Sequence, residues 1–352
     1  MHIYENSQYI EDIAYVASLD LPWEKLKNSS ILISGASGMI GVFLIDVIMY
    51  KNRNEDFSCQ VYALGRNADK AKRRFEEHWN SNEFQFIESD INEEIRVSEA
   101  YKIEYVVHLA SNTHPVAYAT DPIGTITTNV IGLNNLLDYC SKYQVKRCVF
   151  ASSNEIYGEN RGDVEFFDEE YCGYINCNTM RAGYPESKRC GEALCQAYIK
   201  QKGLDVVIAR LTRTYGPTIL LSDTKAISQF IKKAIGGEDI VLKSNGLQYY
   251  SYTYVADAVA GLLTVLLCGK NGEAYNIADE KSDIMLKDLA ELISKSVEKK
   301  VIYEVPDVLE CAGYSTATKA RLSNEKIKKI GWQARYDIDT GIKRTLFILK
   351  EC

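Results

Sequence analysis

Six short apolar runs alternate with longer amphipathic stretches through the first two-thirds of the chain, and this alternation constrains the fold more than any other feature. The runs predicted as strands are Ser30–Ser34, Gln60–Leu64, Phe84–Glu88, Tyr105–Leu109, Arg147–Ser152 and Asp205–Leu211. The stretches predicted as helices are Met39–Tyr50, Ala68–Trp79, Glu93–Tyr101, Thr125–Lys142 and Tyr184–Lys202. Because continuously apolar strands need cover on both faces, the pattern predicts an α/β fold with a Rossmann-type, doubly wound parallel sheet.

The first predicted strand ends in a glycine-rich turn, Gly35-Ala36-Ser37-Gly38-Met39-Ile40-Gly41, that opens the first of these helices. Glycine at these positions lets the backbone turn tightly and approach a pyrophosphate, and the helix N-terminus supplies N–H donors. Glycines also serve ordinary turns, but this strand–turn–helix context predicts a dinucleotide site. The predicted contacts are Gly35, Ser37, Gly38, Met39, Ile40 and Gly41.

The second predicted strand ends in Leu64-Gly65-Arg66-Asn67, without the acid that would accept the ribose 2′-hydroxyl of NAD. Arg66 would stack on adenine, neutralise the 2′-phosphate of NADP, or simply face solvent, so the choice between NAD and NADP stays open. Asp90, after the third strand, would accept from the adenine amino group or cap the helix Glu93–Tyr101.

The composition excludes several classes of protein. With 41 Lys and Arg against 48 Asp and Glu, the net charge is −7, and the only basic block is Lys70–Arg74. We therefore expect no nucleic-acid or membrane partner. Ten cysteines without a C-x-x-C pair, and four histidines, argue against a metal site and suggest a reducing cytosol. Asp46 and Asp257 interrupt the most apolar windows, and Met1–Asp20 lacks the basic start of a signal peptide, so we expect a soluble, cytoplasmic protein.

The alternation loosens after Gly216, which predicts a smaller C-terminal α/β domain. Its predicted elements are helices at Asp223–Ile235, Val255–Leu267, Leu286–Glu298 and Asn324–Ile330, and a strand at Ala274–Ala278. The predicted divisions are an N-terminal extension packed outside the sheet (1–28), a dinucleotide-binding domain (29–215, with 251–279 returning to it) and a substrate domain (216–250 and 280–352).

Tyr184 and Lys188 are four residues apart, so they would lie one above the other on one helical face. An ammonium group lowers the pKa of a neighbouring phenol, which predicts Tyr184 as a base toward a hydroxyl. A solvated Tyr/Lys pair is the alternative. Ser152-Ser153-Asn154-Glu155-Ile156-Tyr157-Gly158 directly follows the fifth strand, where open α/β sheets bind ligands.

Together these residues resemble the extended short-chain dehydrogenase/reductase family, the NAD-dependent epimerases, dehydratases and decarboxylases of nucleotide sugars. The resemblance covers about residues 30–350 and includes His108-Leu109-Ala110-Ser111, Thr128-Asn129 with Gly132, Tyr215-Gly216-Pro217 and Tyr254-Val255-Ala256-Asp257. Within the family the chain looks most similar to UDP-glucuronate decarboxylases, over Asp121–Asn129 and Glu170–Arg189. The resemblance implies NAD, with NADP as an alternative, a nucleotide-diphosphate sugar substrate, a homodimer and a place in polysaccharide biosynthesis.

The resemblance also implies roles for individual residues. Tyr184 would take the proton of the sugar C4 hydroxyl, Lys188 would hold the ribose, Ser153 would hydrogen-bond the reacting oxygen, and Asn154 with Glu155 would manage the second step. The other implied cofactor contacts are Ile91, Leu109, Ala110, Ser111 and Asn129. The implied substrate contacts are Asn112, Arg213, Lys225 and Tyr250.

Three departures from the family pattern bear on the reaction. Dehydratases use an acid where this chain has Asn154, so the sequence disfavours 4,6-dehydration by their usual route, whereas Glu155 favours chemistry beyond epimerisation. Decarboxylases carry an arginine where this chain has Tyr250, and the family carries asparagine where it has Arg213. The cationic contact to the substrate would thus have moved to Arg213, unless Arg213 is an ordinary ion-pairing residue.

Three functions stay open at this point. The first is decarboxylation or elimination through a 4-keto sugar, the second is 4- or 5-epimerisation, and the third is dinucleotide binding without catalysis. The intact residues Ser153, Tyr184 and Lys188 argue against the third.

Overall fold

The computed structural model describes residues 2–98, 101–113, 115–306, 314–315 and 317–352. The strands are β1 Ser30–Ser34, β2 Gln60–Gly65, β3 Phe84–Glu88, β4 Tyr105–His108, β5 Arg147–Ser153, β6 Val206–Leu211, β7 Arg213–Tyr215, β8 Ile240–Leu242, β9 Tyr249–Tyr254, β10 Ala274–Ile277, β11 Asp283–Met285, β12 Val301–Tyr303 and β13 Lys319–Ala320. The helices are α1 Ser7–Ala17, α2 Met39–Asn54, α3 Ala68–Arg74, α4 Pro115–Thr120, α5 Pro122–Lys142, α6 Gly183–Lys202, α7 Ala226–Ile235, α8 Val255–Cys268, α9 Leu286–Ser296, α10 Glu325–Lys328 and α11 Ile338–Glu351.

Seven parallel strands form the main sheet in the order β10-β6-β5-β4-β1-β2-β3. Successive side chains of a strand point to opposite faces, and both faces are covered. Ile31 and Ile33 pack with α2 and α8, whereas Leu32 packs with α5 and α6. The Rossmann-type fold predicted from the sequence is therefore confirmed, and the order of the strands reverses between β1 and β4, where such sheets bind ligands.

The N-terminal helix α1 packs outside the sheet, against α2 and α8. Asn6 caps this helix by accepting from the backbone N–H of Gln8 and Tyr9. The hydroxyls of Tyr4 and Tyr9 both donate to Asp46, a buried residue of α2. The predicted packing of this segment outside the sheet is therefore confirmed.

A second, smaller sheet is built by β7, β9, β11 and β13, and β8 pairs with β12. Between β9 and β11 the chain returns to the main sheet as β10, which pairs with β6. The parallel pairing of β7 with β9 sets Arg213 opposite Tyr252. The exact domain boundaries given above remain a prediction.

Several predicted elements are wrong in kind or in length. Residues 93–98 and 101 of the predicted helix Glu93–Tyr101 are not helical, and residues 99–100 lie outside the described residues. Ile95 and Val97 are both buried two positions apart, which is the spacing of extended chain. The helix predicted to reach Trp79 ends at Arg74, α10 is shorter than predicted, and the C-terminal helix α11 was not predicted.

In the part of the chain that the structure describes, no helix combines the length and the apolar character needed to cross a membrane.

Candidate active site

A cleft of about 1060 Å³ opens at the carboxyl ends of β1, β2, β4 and β5 and continues between the two sheets. Every residue predicted to contact cofactor or substrate lines this cleft except Asp90 and Asn129. A second compartment of about 220 Å³ adjoins it and shares Asn154, Glu155, Arg181 and Arg213 with it.

The glycine-rich turn forms one wall of the cleft, and two of its glycines are required by close packing. Gly35 has a φ of +68°, and a Cβ there would lie 2.6 Å from the backbone nitrogen of Ala110. A Cβ on Gly41 would collide with the backbone of Ala36. Since the turn leads into the first residues of α2 at the cleft, its backbone fits a pyrophosphate, as NAD binding requires.

The far end of the cleft is lined by residues of β2, α3 and the loop after β3. Arg66 is there, with 65% of its side chain exposed, and its Nη1 lies 3.8 Å from Asp90. Asp90 accepts from the backbone N–H of Asn92 at 2.9 Å, and because no helix follows, the alternative role as a helix cap is wrong.

The predicted catalytic residues come together where β5 ends and α6 begins. Ser153 ends β5, and its hydroxyl accepts from the backbone N–H of Glu155 at 3.2 Å, which starts a 3₁₀ turn over Asn154–Tyr157. Tyr184 and Lys188 lie in the first two turns of α6 and are both buried. The Nζ of Lys188 donates to the carbonyl oxygen of Ala151 at 2.9 Å and lies 6.0 Å from the centre of the Tyr184 ring.

The predicted effect of Lys188 on Tyr184 is wrong in this structure. Burial and the carboxylate of Glu155 raise the pKa of Tyr184 to about 12, against smaller lowering effects of Ser153 and Arg181. Burial lowers the pKa of Lys188 to about 7. The i, i+4 spacing was right, but desolvation outweighs the attraction that the spacing suggests.

A stack of three side chains, which the sequence did not predict as a unit, joins Tyr184 to Glu155. The ring of Tyr118 in α4 stacks on Tyr184 with 4.8 Å between centroids. The guanidinium of Arg181 lies 4.5 Å from the centre of the Tyr118 ring and donates to both oxygens of Glu155, at 2.6 and 2.7 Å. Glu155 is thus held as one half of a largely buried ion pair.

Asn129 lies behind the cleft rather than in its wall. The hydroxyl of Ser111 donates to its amide oxygen at 2.7 Å, and its amide nitrogen donates to Ser187 at 2.9 Å. Ser187 in turn donates to the carbonyl oxygen of Tyr184 at 2.8 Å. The geometry makes Asn129 a link between the loop after β4 and the start of α6.

A buried polar network supports β5 from behind. The carboxylate of Glu192, one turn after Lys188, accepts hydrogen bonds from Nε and Nη2 of Arg210, at 3.0 and 2.7 Å. It also accepts one from the hydroxyl of Ser152. Arg210 also donates to the hydroxyl of Tyr157 at 2.9 Å. Because these groups belong to β5, β6, α6 and the 3₁₀ turn, the network fixes the residues on either side of Ser153.

Arg213 of β7 and Tyr250 of β9 lie on paired strands of the smaller sheet, and their side chains stack on each other. The guanidinium carbon of Arg213 lies 3.4 Å from the centre of the Tyr250 ring, and the Tyr250 hydroxyl donates to Ala317 at 2.7 Å. The Nη1 of Arg213 is buried and has no hydrogen-bond partner among the described residues. The described residues give Arg213 no acid as an ion-pair partner, and its role in binding remains a prediction.

The two remaining predicted substrate contacts lie in the loops that border the cleft. Lys225 precedes α7, and its Nζ lies 3.0 Å from Asp223 and 3.5 Å from Thr113. Asn112 follows Ser111, whose hydroxyl donates to the Asn112 carbonyl oxygen at 3.3 Å. These loops come from the main and the smaller parts of the molecule and meet at the cleft.

Known proteins resemble this chain in sequence and in fold. The profile of the NAD dependent epimerase/dehydratase family matches residues 31–278. UDP-glucuronic acid decarboxylase 5 of Arabidopsis thaliana is 33% identical over 284 residues, which cover 80% of this chain and 79% of that protein. UDP-glucuronic acid decarboxylase 1 of Xenopus tropicalis is 29% identical over 322 residues, which cover 91% of this chain and 72% of that protein.

Solved structures of similar fold include the UDP-glucose 4-epimerase of Thermotoga maritima. It superposes with a TM-score of 0.78 at 24% identity, over 92% of this chain and 99% of that one. The dTDP-glucose 4,6-dehydratase of Bacillus anthracis, solved with NAD, has a TM-score of 0.77 at 21% identity, over 92% of this chain and 97% of that one.

At these identities the solved structures establish the fold, whereas the family profile spans more than half of the chain. The chain therefore belongs to the NAD-dependent epimerase/dehydratase family, the extended short-chain dehydrogenase/reductases, and is an enzyme of that family with NAD as its cofactor.

Proposed function

We propose that this enzyme decarboxylates a nucleotide-linked uronic acid, similar to UDP-glucuronate, through a 4-keto sugar. The observation that carries the proposal is the guanidinium of Arg213, which stacks on Tyr250, has a buried Nη1 without a partner among the described residues, and belongs to a residue that lines the same compartment as Glu155. A buried donor of this kind requires an acceptor from the ligand. A sugar carboxylate supplies one, and the names of the relatives described above agree with it.

The first step is oxidation at sugar C4. When bound, NAD supplies the acceptor, and later the donor, of a hydride at this carbon. Tyr184 removes the proton of the C4 hydroxyl, and Ser153 donates a hydrogen bond to the same oxygen. Ser153 and Arg181 stabilise the phenolate that this step needs, since both lower the pKa of Tyr184.

The second step breaks the bond between C5 and C6. In the 4-keto sugar the C6 carboxylate belongs to a β-keto acid, so it leaves as carbon dioxide and the electron pair forms an enolate over C5, C4 and the C4 oxygen. C5 then takes a proton that Glu155 relays from solvent, and C4 is reduced again as Tyr184 returns its proton to the C4 oxygen. Glu155 is the acid–base group beside this position, and its ion pair with Arg181 fixes its orientation.

The structure offers no acid for 4,6-dehydration at position 154, because the amide of Asn154 cannot donate a proton to a departing hydroxyl. Epimerisation is the second candidate function, and Tyr250 favours it, because a tyrosine at this position also suits a neutral sugar.

Product masses from a panel of nucleotide sugars test the proposal. We expect a product lighter by one carbon dioxide from a nucleotide uronic acid, without added NAD, because the same cofactor is oxidised and reduced in one cycle. A product lighter by one water, or an isomer of unchanged mass, would contradict decarboxylation. A stoichiometric demand for external NAD would instead indicate a net dehydrogenase.

We also propose a cytoplasmic homodimer whose product serves polysaccharide biosynthesis. Support for the dimer comes from α5, which exposes Ile123, Ile126 and Ile131 at 75, 42 and 46%. A second copy of the chain would cover this apolar face. Light scattering tests the proposal: Ile131→Glu should shift the dimer to monomer, and a wild-type monomer would refute it.

A further inference from the structure

The adenosine end of the cleft has two cations where a carboxylate is expected. Arg66 directly follows β2, and Lys70 lies one turn further along, in α3. Both line the cleft. Of the described residues that line this end, from β2, α3 and the loop after β3, none carries a carboxylate: they are Leu64, Gly65, Arg66, Asn67, Lys70, Ser89 and Ile91.

A Rossmann-type site distinguishes its two cofactors at this place. An acid at the end of the second strand accepts the ribose 2′-hydroxyl of NAD, whereas an arginine accommodates the 2′-phosphate of NADP. The guanidinium presents a planar fork of donors that matches phosphate oxygens. We infer that Arg66 and Lys70 form a 2′-phosphate site, so that the enzyme binds NADP in addition to NAD.

Two further observations support this assignment. Asp90 forms a long ion pair with Arg66, with 3.8 Å between Oδ2 and Nη1, but it does not line the cleft and leaves 65% of the Arg66 side chain exposed. Burial lowers the pKa of the Lys70 ammonium group, and the charges of Arg74 and Arg66 lower it further. An anion bound between these cations would relieve their mutual repulsion.

A competition experiment on the full chain tests the site without relying on catalysis. The protein is equilibrated with equal concentrations of NAD and NADP, and the nucleotides it retains are released and quantified. We expect wild type to retain NADP at least as well as NAD. In Arg66→Ala the ratio of NADP to NAD should fall roughly 10-fold, because a hydrogen-bonded charge contact to the 2′-phosphate is lost.

Matched variants separate the site from general charge. Lys70→Ala should lower the ratio by a smaller factor, and Arg66→Lys should retain part of it. Lys72→Ala removes an exposed cation of the same helix that does not line the cleft, and should leave the ratio unchanged. Total retained nucleotide and the unfolding temperature identify any variant that has lost its fold.

The inference is overturned if wild type retains no NADP, or if the ratio is the same in wild type, Arg66→Ala and Lys70→Ala. It does not depend on decarboxylation, because the ratio of retained nucleotides is unaffected by which sugar the enzyme converts. Failure of either proposal therefore leaves the other intact.

Discussion

Two ends of the inner part of the cleft differ in how their charges are satisfied. At the junction of β5 and α6 the charges are paired within the protein: Glu155 with Arg181, Glu192 with Arg210, and Lys188 with a backbone carbonyl. At the junction of β7 and β9, Arg213 stacks on an aromatic ring and one of its buried nitrogens has no partner among the described residues.

This difference indicates which end has the fixed geometry suited to catalysis and which end has a free donor suited to binding a ligand. A fully bonded polar network holds its members in one geometry, as a reaction with small positional tolerance needs. An unpartnered buried donor costs free energy until a ligand satisfies it. The same type of side chain therefore has a structural role in Arg210 and, as proposed above, a binding role in Arg213.

The largest effect is expected from Tyr184→Phe, at the paired end. The ring and its stacking on Tyr118 remain, but the proton acceptor is removed, so turnover should fall by roughly 10²–10⁴-fold. Retention of NAD should persist. Tyr198→Phe, on the same helix but outside the cleft, is the control and should keep its activity. Near-normal turnover in Tyr184→Phe would place the active site elsewhere.

The next effect tests the unpaired end. Arg213→Ala should cost roughly 1.5–3 kcal/mol, or about 10- to 150-fold in kcat/KM, because a charge-assisted contact to the substrate is lost. Arg213→Lys should recover only part of it, since an ammonium group lacks the planar fork. Arg335→Ala is the control, because Arg335 also stacks on a tyrosine, Tyr15, but outside the cleft.

The substrate range of Arg213→Ala identifies the anion. A contact with the sugar carboxylate predicts a loss confined to uronic acid substrates. A contact with the diphosphate predicts a loss for every nucleotide sugar, mainly in KM. Wild-type behaviour on all substrates would remove the distinction between the two ends and would favour a pocket for a neutral sugar.

The sequence predicted the meeting of Ser153, Tyr184 and Lys188 because it depends on local spacing and on one rule of topology. Strand ends lie at one edge of a parallel sheet, and residues four apart share a helical face. The stack that joins Tyr184 to Glu155 through Tyr118 and Arg181 depends instead on contacts between distant segments, which spacing does not reveal. Burial cannot be read from residue spacing either, and it raises the pKa of Tyr184, which the sequence predicted to be lowered.

The prediction of secondary structure failed where the sequence pattern is ambiguous. Apolar residues in 91–98 fit both a helix and an extended chain, and the Asp90 turn with the buried Ile95 and Val97 selects the extended one. The facing of Arg213 and Tyr250 follows from the pairing of two short strands far apart in the chain, which the sequence left unassigned.

A smaller effect should follow from weakening the network behind the paired end. Burial lowers the pKa of Lys188 to about 7, and the charges of Cys195 and Glu192 partly oppose this shift. Glu192→Gln should therefore lower this pKa further. The ammonium group would then lose its proton at lower pH, and the pH above which NAD retention declines should move down. Glu186→Gln, which lies on α6 and pairs with Arg189, should not move it. An unchanged midpoint in Glu192→Gln would mean that this carboxylate supports β5 without influencing Lys188.

The smallest effect is expected from Tyr118→Phe, which tests whether the stack at the paired end acts on charge or only on shape. The ring between Tyr184 and Arg181 is kept, so KM and stability should stay close to wild type. The Tyr118 hydroxyl lowers the pKa of Tyr184, and its loss should raise that pKa. Because the proposed mechanism uses Tyr184 as a phenolate, the acidic limb of the kcat profile should move to higher pH, with turnover at neutral pH reduced by only a few-fold. Tyr118→Leu also removes the aromatic stacking, which is worth about 0.5–1.5 kcal/mol, and should lower turnover further.

If Tyr118→Phe and wild type share one pH profile while Tyr118→Leu is impaired, the stack holds Tyr184 by shape alone, and the fixed charges of this end are confined to Glu155, Arg181 and the network of Glu192 and Arg210.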